Sequence, residues 1–144
     1  SFRLSGGLAE AVELIEQPLP AAADAALRGW DGPIPLCADE SFRGDAALID
    51  GLADRYQAVN VKLDKAGGLR PALACIDRAR QLGLSVMVGT MVATSLAVAP
   101  AVLAAQRADW ADLDGPLYLV TDRAPGLVFD DRSRVHPPAP ALWG

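Results

Sequence analysis

The sequence predicts an α/β fold built on a parallel sheet, and three observations carry that expectation. Short apolar runs alternate with helical patterns, which is the layout of successive βα units. One run, Leu84 to Val88, is apolar but for Ser85, as expected of a strand covered on both faces. Polar or charged residues stand where the runs stop, and two steps between them are equal. Glu16 to Asp39 and Asp39 to Lys62 each span 23 residues.

Taken in order, Val12 to Ile15 reads as a first strand ending at Glu16-Gln17-Pro18, followed by a short Ala-rich helix over roughly Ala22 to Arg28. Ile34 to Ala38 reads as a second strand, ending at Asp39-Glu40-Ser41. Asp45 has the side-chain acceptor of an N-cap, for a helix that sets Leu48, Ile49 and Leu52 on one face. Ala58 to Leu63 is the third strand, closed by the Gly67-Gly68 turn. The next helix is the best marked: Pro71 suits its first turn, Leu69, Leu73 and Ile76 share a face, and Gly83 follows its end. The fourth strand, Leu84 to Val88, closes at Gly89-Thr90. A helix from about Ser95 to Gln106 is expected to kink or restart at Pro100, where a donor is lost and the preceding turn is crowded. Ala111 to Asp114 reads as a short fifth strand, stopped by Gly115-Pro116. Beyond it the pattern changes. Leu117 to Val120 and Gly126 to Phe129 read as extended pieces, and Pro137, Pro138 and Pro140 crowd the end. Residues 117–144 are therefore expected to form a tail packed on something else, and 1–116 to hold the βα units.

Composition excludes several classes. With 51% hydrophobic residues in 144, the chain can supply a sizeable core, which rules out disorder. Thirteen Lys and Arg against eighteen Asp and Glu leave a net charge of −5, the wrong sign for nucleic-acid binding. No stretch reaches eighteen uncharged apolar residues and no charged-then-apolar leader opens the chain, so neither a membrane span nor a signal peptide is expected. Cys37 and Cys75 lie far apart without a CxxC pattern, the usage of a reduced, cytoplasmic protein. Eleven of the thirteen basic residues are arginine, and the two lysines, Lys62 and Lys65, fall in one short segment. Arginine stays protonated in proteins, whereas a lysine can give up its proton, so a lysine kept at a strand end is a candidate for proton chemistry.

In parallel α/β folds ligands bind at the carboxyl ends of the strands. Those ends carry Glu16, Asp39, Lys62, Gly89-Thr90, and the pair Asp112 and Asp114. One βα unit per step stacks them round a common mouth, with two carboxylates beside a lysine and two more acids across the opening. Carboxylate oxygens without histidine or thiolate partners suit Mg²⁺. Asp112 and Asp114, two apart on a strand, are expected to share a face and to bind a cation, metal or ammonium. Lys65, in the turn before Gly67-Gly68, is expected to be solvated or supporting. His136, the single histidine, sits in the proline-rich tail. No P-loop, GxGxxG or nucleophile elbow occurs.

These residues form recognisable strings. Val12-Glu13-Leu14-Ile15-Glu16-Gln17-Pro18-Leu19-Pro20 resembles the fourth-strand motif of the enolase superfamily, in its muconate-lactonizing-enzyme-like branch. Ala38-Asp39-Glu40-Ser41 resembles the fifth, and Asn60-Val61-Lys62-Leu63-Asp64-Lys65-Ala66-Gly67-Gly68 the sixth. Gly89-Thr90-Met91 and Asp112-Leu113-Asp114-Gly115 resemble the last two strands of the dipeptide epimerases of that superfamily. The resemblance runs through essentially the whole chain. It implies a TIM-type (β/α)7β barrel of which this chain is the C-terminal part, about five strands. It implies Glu16 and Asp39 as Mg²⁺ ligands, Lys62 as the acid/base, and Asp112 and Asp114 as the groups holding a substrate ammonium. Gly89, Thr90 and Met91 would line the substrate pocket, with Ala93 where some members carry a polar residue.

The family's first metal ligand, its second-strand Lys-x-Lys motif and its N-terminal capping domain have no counterpart here, and Ser1 to Ala11 reads as the end of the preceding helix. The expected partners are thus the capping domain and first barrel strands, in the same or a separate chain, and a small dipeptide substrate. A homo-oligomer is compatible with this. The implied activity is Mg²⁺-dependent epimerisation of a dipeptide such as L-Ala-D/L-Glu, by α-proton removal and return through an enediolate, with the metal helping to keep a lysine neutral. The alternatives are cycloisomerase, o-succinylbenzoate synthase or N-acylamino acid racemase activity, against which the aspartate pair argues, or a non-catalytic half-barrel. The isolated chain is expected to be inactive. A flavodoxin-like signalling domain fits the length but not the position of Lys62.

Overall fold

The computed structural model describes residues 11–144, so the helix end expected over Ser1 to Ala11 falls, but for Ala11, outside the described residues. Five strands form a single parallel sheet in chain order: β1 (Ile15–Glu16), β2 (Leu36–Ala38), β3 (Ala58–Lys62), β4 (Ser85–Gly89) and β5 (Trp110–Asp112). Strands β1, β2, β3 and β5 are shorter than the runs expected for them, while β4 keeps its length one residue further on. At the first edge the ladder pairs Ile15 with Leu36 and Glu16 with Cys37, flanked by Ile15 N–H donating to the Pro35 carbonyl at 3.0 Å and Gln17 N–H to Cys37 at 2.8 Å, and Val12 to Leu14 stay outside the strand. The sheet curls. Trp110 of β5 donates its indole N–H to Glu13, just before β1, at 3.1 Å across 97 residues of sequence.

Period two divides each strand between the two faces. Val59, Val61, Val86 and Val88 point to the helical side and are fully buried there with Ile49, Ile76 and Tyr56. Cys37, Ala58 and Met87 point to the inner side, where Leu14 and Trp110 pack against them.

The helices are α1 (Leu63–Ala66), α2 (Leu69–Gln81), α3 (Ser95–Ala105) and α4 (Pro140–Trp143), with 3-10 segments at Ala21–Leu27, Ala46–Gly51 and Gly115–Tyr118. Asp45 is the N-cap expected of it, accepting from Ala47 N–H at 2.9 Å. The segment that it caps is 3-10, not α. With three residues per turn, Ile49 and Leu52 share the buried face while Leu48 turns outward, 48% exposed. Helix α2 matches its expected span, burying Ala72, Cys75, Ile76 and Ala79 against the sheet. Helix α3 runs through Pro100 without restarting. Its burial of Val98, Ala99, Ala101, Val102 and Ala104 outweighs the lost main-chain bond, because packing and not propensity holds most helices together.

After β5 the chain does not extend. Gly115–Tyr118 is 3-10, and of the second expected piece Phe129 alone pairs, in an isolated antiparallel bridge with Val135. The buried Ser95 ties this region to α3: its hydroxyl donates to Asp122 and accepts from Leu127 N–H at 2.8 Å. Leu142 of α4 is fully buried.

Candidate active site at the strand ends

The predicted residues gather at the carboxyl end of the sheet. Glu16 closes β1, Asp39 follows β2, Lys62 closes β3, Gly89 closes β4 and Asp112 closes β5. Asp39 is the most heavily engaged. It is buried, and Lys62 Nζ donates to Oδ2 at 2.9 Å while Lys65 Nζ donates to Oδ1 at 2.7 Å and to its main-chain carbonyl at 2.8 Å. Burial alone would raise the Asp39 pKa, but the two ammonium groups hold it below the usual carboxylate range. Lys65 is thus a supporting residue, clamped on the Asp39 loop.

The same pair sets the charge on Lys62. Burial would lower its pKa, yet the bond to Asp39 and the negative charges of Asp39, Glu16 and Glu40 raise it. With Asp39 as its partner, Lys62 is an ammonium that can give a proton.

Asp112 and Asp114 meet, though for another reason than expected. The strand stops at Asp112, and Asp114 stands at the start of the 3-10 segment Gly115–Tyr118 with φ −84° and ψ 1°. The turn, not a shared strand face, brings the two carboxyls together. Burial pushes the Asp112 carboxyl above the usual range, helped by its bond to Asp114 and by the charges of Asp114 and Glu16, with Lys62 opposing. Asp114 in turn raises the pKa of the exposed Tyr118 phenol. The pair borders a cavity of ≈ 560 Å³, whose other walls include Leu117, Phe129, Asp130 and Arg134. His136 lies outside this group, 3.7 Å from Asp130 and half exposed.

Thr90 is half-buried, its hydroxyl 3.5 Å from the Asp112 carbonyl, and Met91 is 49% exposed at the rim. Gly89 is buried against Asn60: a Cβ there would lie 2.6 Å from Asn60 Oδ1.

Two residues that the strand-end reasoning passes over organise the rest. Gln17, with φ 39°, accepts from Asp39 N–H at 2.9 Å and Ser41 N–H at 3.1 Å. Its amide nitrogen donates to Leu19 O, Ser41 Oγ and the Tyr56 hydroxyl at 2.7 to 2.9 Å. It therefore ties the end of β1 to the loop carrying Asp39. Asn60, fully buried, donates to Glu16 Oε1 at 2.6 Å. Its signal is in the sequence: it is a polar residue in an apolar strand, two before Lys62 and so on the same face.

Among the described residues no group of three His, Cys, Asp or Glu side chains is gathered as a metal site. Glu16 and Asp39 nonetheless give an all-carboxylate donor set on neighbouring strands, and no hydrogen bond reaches Glu16 Oε2 among the described residues. That chemistry fits two ligands for a hard cation such as Mg²⁺.

Residues 1–140 match the family model described as enolase C-terminal domain-like. The chain is 47% identical over 133 residues to an N-acetyl-D-glutamate racemase of Pseudoalteromonas sp, covering 92% of this chain and 42% of that protein. It is 48% identical over 118 residues to the L-Ala-D/L-Glu epimerase of Escherichia coli K12, covering 82% and 36%. Among solved structures it is similar to an enolase family member from Agrobacterium tumefaciens with homology to dipeptide epimerases, holding sodium and L-Ala-L-Glu. The identity is 53% and the TM-score 0.88, over 94% of this chain and 41% of that one. A dipeptide epimerase from Methylococcus capsulatus complexed with Mg and L-Arg-D-Lys is 33% identical at TM-score 0.79, over 89% and 38%. The chain thus spans about two fifths of the length of the curated relatives it matches. Its five curled parallel strands are the C-terminal part of the barrel those proteins share.

Proposed function

Because the chain belongs to the enolase C-terminal domain-like family, we propose that it forms part of an Mg²⁺-dependent epimerase that inverts a carbon next to a dipeptide's carboxylate. The missing capping domain and first barrel strands, on the same chain or another, would complete the site, and residues 117–144 would return toward the capping domain. The observation that carries the dipeptide reading is that Asp112 and Asp114 line one cavity, with the charges of Glu16 and Lys62 bearing on Asp112. The Asp114 carboxyl opposes ionisation of the partly buried Asp112, and a bound ammonium relieves that cost. A dipeptide's free amino terminus supplies one.

Lys62 is the group placed to hand a proton to the substrate carbon or to receive it. Glu16 and Asp39 would hold the cation, which when bound supplies positive charge for the developing charge on the substrate carboxylate and competes with Lys62 for Asp39. Gln17 and Lys65 fix the Asp39 loop in place, and Thr90 and Met91 stand at the rim where the substrate side chain would lie. Free, buried Cys37 and Cys75 suit a reducing, cytoplasmic setting. No helix among the described residues is long and apolar enough to cross a membrane.

A second reading comes from the relative that is an N-acetyl-D-glutamate racemase: an N-acylated amino acid in place of the dipeptide. Such a substrate has no ammonium for the aspartate pair. The two readings separate by proton NMR in D₂O with the complete protein and MgCl₂. Loss of the α-proton signal of L-Ala-L-Glu, with N-acetylglutamate untouched, is the expected result; the reverse pattern overturns the dipeptide reading. The isolated 144-residue chain is expected to exchange neither.

A further inference from the structure

Asn60 is an odd residue to bury. It is fully enclosed, one end of its amide donates to Glu16, and the other end, Oδ1, has no hydrogen-bond partner among the described residues. A buried polar atom without a partner costs stability, and an apolar side chain in its place would not carry that cost. Core packing alone therefore does not account for an amide at this position. A carboxylate can only accept, so the amide nitrogen must be the end that faces Glu16.

Glu16 needs such a partner. It is the exposed last residue of a two-residue edge strand, carried on a flexible side chain. Among the described residues its carboxylate receives one hydrogen bond, from Asn60, two strands away on β3. That bond occupies Oε1. Gly89 belongs to the same arrangement, because a Cβ there would stand 2.6 Å from Oδ1 and 2.8 Å from Nδ2 and push the amide off its seat.

We propose that Asn60, seated against Gly89, is a positioning residue that pins Glu16 Oε1 so that Oε2 is presented to a divalent cation. The inference rests on the metal part of the function proposed above and deepens it. Partners that orient a metal's carboxylate ligands typically contribute about 10- to 100-fold to metal affinity. Gly89 then acts through Asn60, before any contact with substrate.

The test is calorimetric titration of MgCl₂ alone into the complete protein, substrate absent, for wild type, Asn60→Ser, Gly89→Ala and the double variant. Asn60→Ser and Gly89→Ala are each expected to weaken Mg²⁺ binding about 10- to 100-fold. The double variant is expected to bind no more weakly than Asn60→Ser, because the shorter serine leaves room for the methyl group that Gly89→Ala adds; such non-additivity marks residues acting as one unit. A role in packing alone would lower the metal-free thermal midpoint and leave the Mg²⁺ dissociation constant unchanged. Wild-type binding matched by Asn60→Ser and Gly89→Ala overturns this inference and leaves the proposed function standing. Additive losses also overturn it. A wild-type protein that binds no Mg²⁺ overturns both. If Asn60→Ser does not fold, Gly89→Ala decides by itself, since it keeps the amide and moves it.

Discussion

Replacing Gln17 by leucine keeps the size of the side chain and removes its amide, so the cost follows from what the amide holds. Two main-chain donors, Asp39 N–H and Ser41 N–H, lose their acceptor at 2.9 and 3.1 Å. Each stranded main-chain donor costs about 1–3 kcal/mol, toward the upper end at buried Asp39 and the lower end at half-buried Ser41, where water can enter. The Tyr56 hydroxyl and Ser41 Oγ keep each other at 3.2 Å, so their loss adds little. The expected destabilisation of Gln17→Leu is about 2–4 kcal/mol, read as a lower urea midpoint with an unchanged slope in the complete protein. Backbone conformation gives a second, separable number. Gln17 sits at φ 39°, where a residue with a Cβ pays roughly 1–2 kcal/mol. Gln17→Gly loses the same hydrogen bonds but relieves that strain, so it should be more stable than Gln17→Leu by about 1 kcal/mol. A loss under about 1 kcal/mol for Gln17→Leu would refute the reasoning, since one stranded N–H alone should exceed it. Equal losses for leucine and glycine would refute the strain argument.

Other expectations follow from the charges. Asp112→Asn should lower kcat/KM for a dipeptide by about 10-fold or more, at least ~1.4 kcal/mol, while raising the metal-free thermal midpoint. A carboxyl whose folded pKa is raised is penalised when charged, so removing that charge stabilises the fold at neutral pH; a midpoint that falls would contradict this. Asp109 has the opposite sign. The Arg80 guanidinium at 2.7 Å and Val86 N–H at 2.8 Å hold its carboxyl below the usual range, burial opposing, so its contribution is present at neutral pH and lost as pH falls through the folded pKa. Asp109→Asn should therefore lower the urea midpoint at about pH 7, and the difference from wild type should shrink steadily as pH falls below about 4, which equilibrium unfolding across that range checks.

The order of elements and the strand-end residues are legible in the sequence because period and punctuation are local signals. Gly83 after α2 and Asp45 before the 3-10 segment Ala46–Gly51 can be read for that reason. What escapes is set by partners distant in sequence. Whether Val12 to Leu14 count as strand depends on a neighbour to pair with, and whether α3 survives Pro100 depends on what it buries. Leu48 falls on the buried face only under the α-helical period, and a 3-10 turn forms there instead. Gln17 escapes as well, and Asn60 shows itself only as a polar residue in an apolar strand, without its partner. Their roles are hydrogen bonds spanning 22 and 44 residues, and nothing in the local pattern announces such a span.

The aspartate pair comes together through a turn and not through a shared strand face, and the difference matters. If Asp112 and Asp114 shared a strand face, their approach would depend on the β4–β5 ladder, which is paired at Gly89 and Asp112. Instead the chain leaves the strand at Asp112 and turns at Gly115, where a Cβ would stand 2.5 Å from the Met91 carbonyl and 3.2 Å from Thr90 Oγ1. The loop after β4 is thereby packed on the turn that aims Asp114. Thr90 and Met91, expected to line the pocket by contact, also help set where the acid pair sits. Under the proposed function, substrate side-chain preference and ammonium recognition would then be two consequences of one packed junction, and a change at residue 90 or 91 would act on both together.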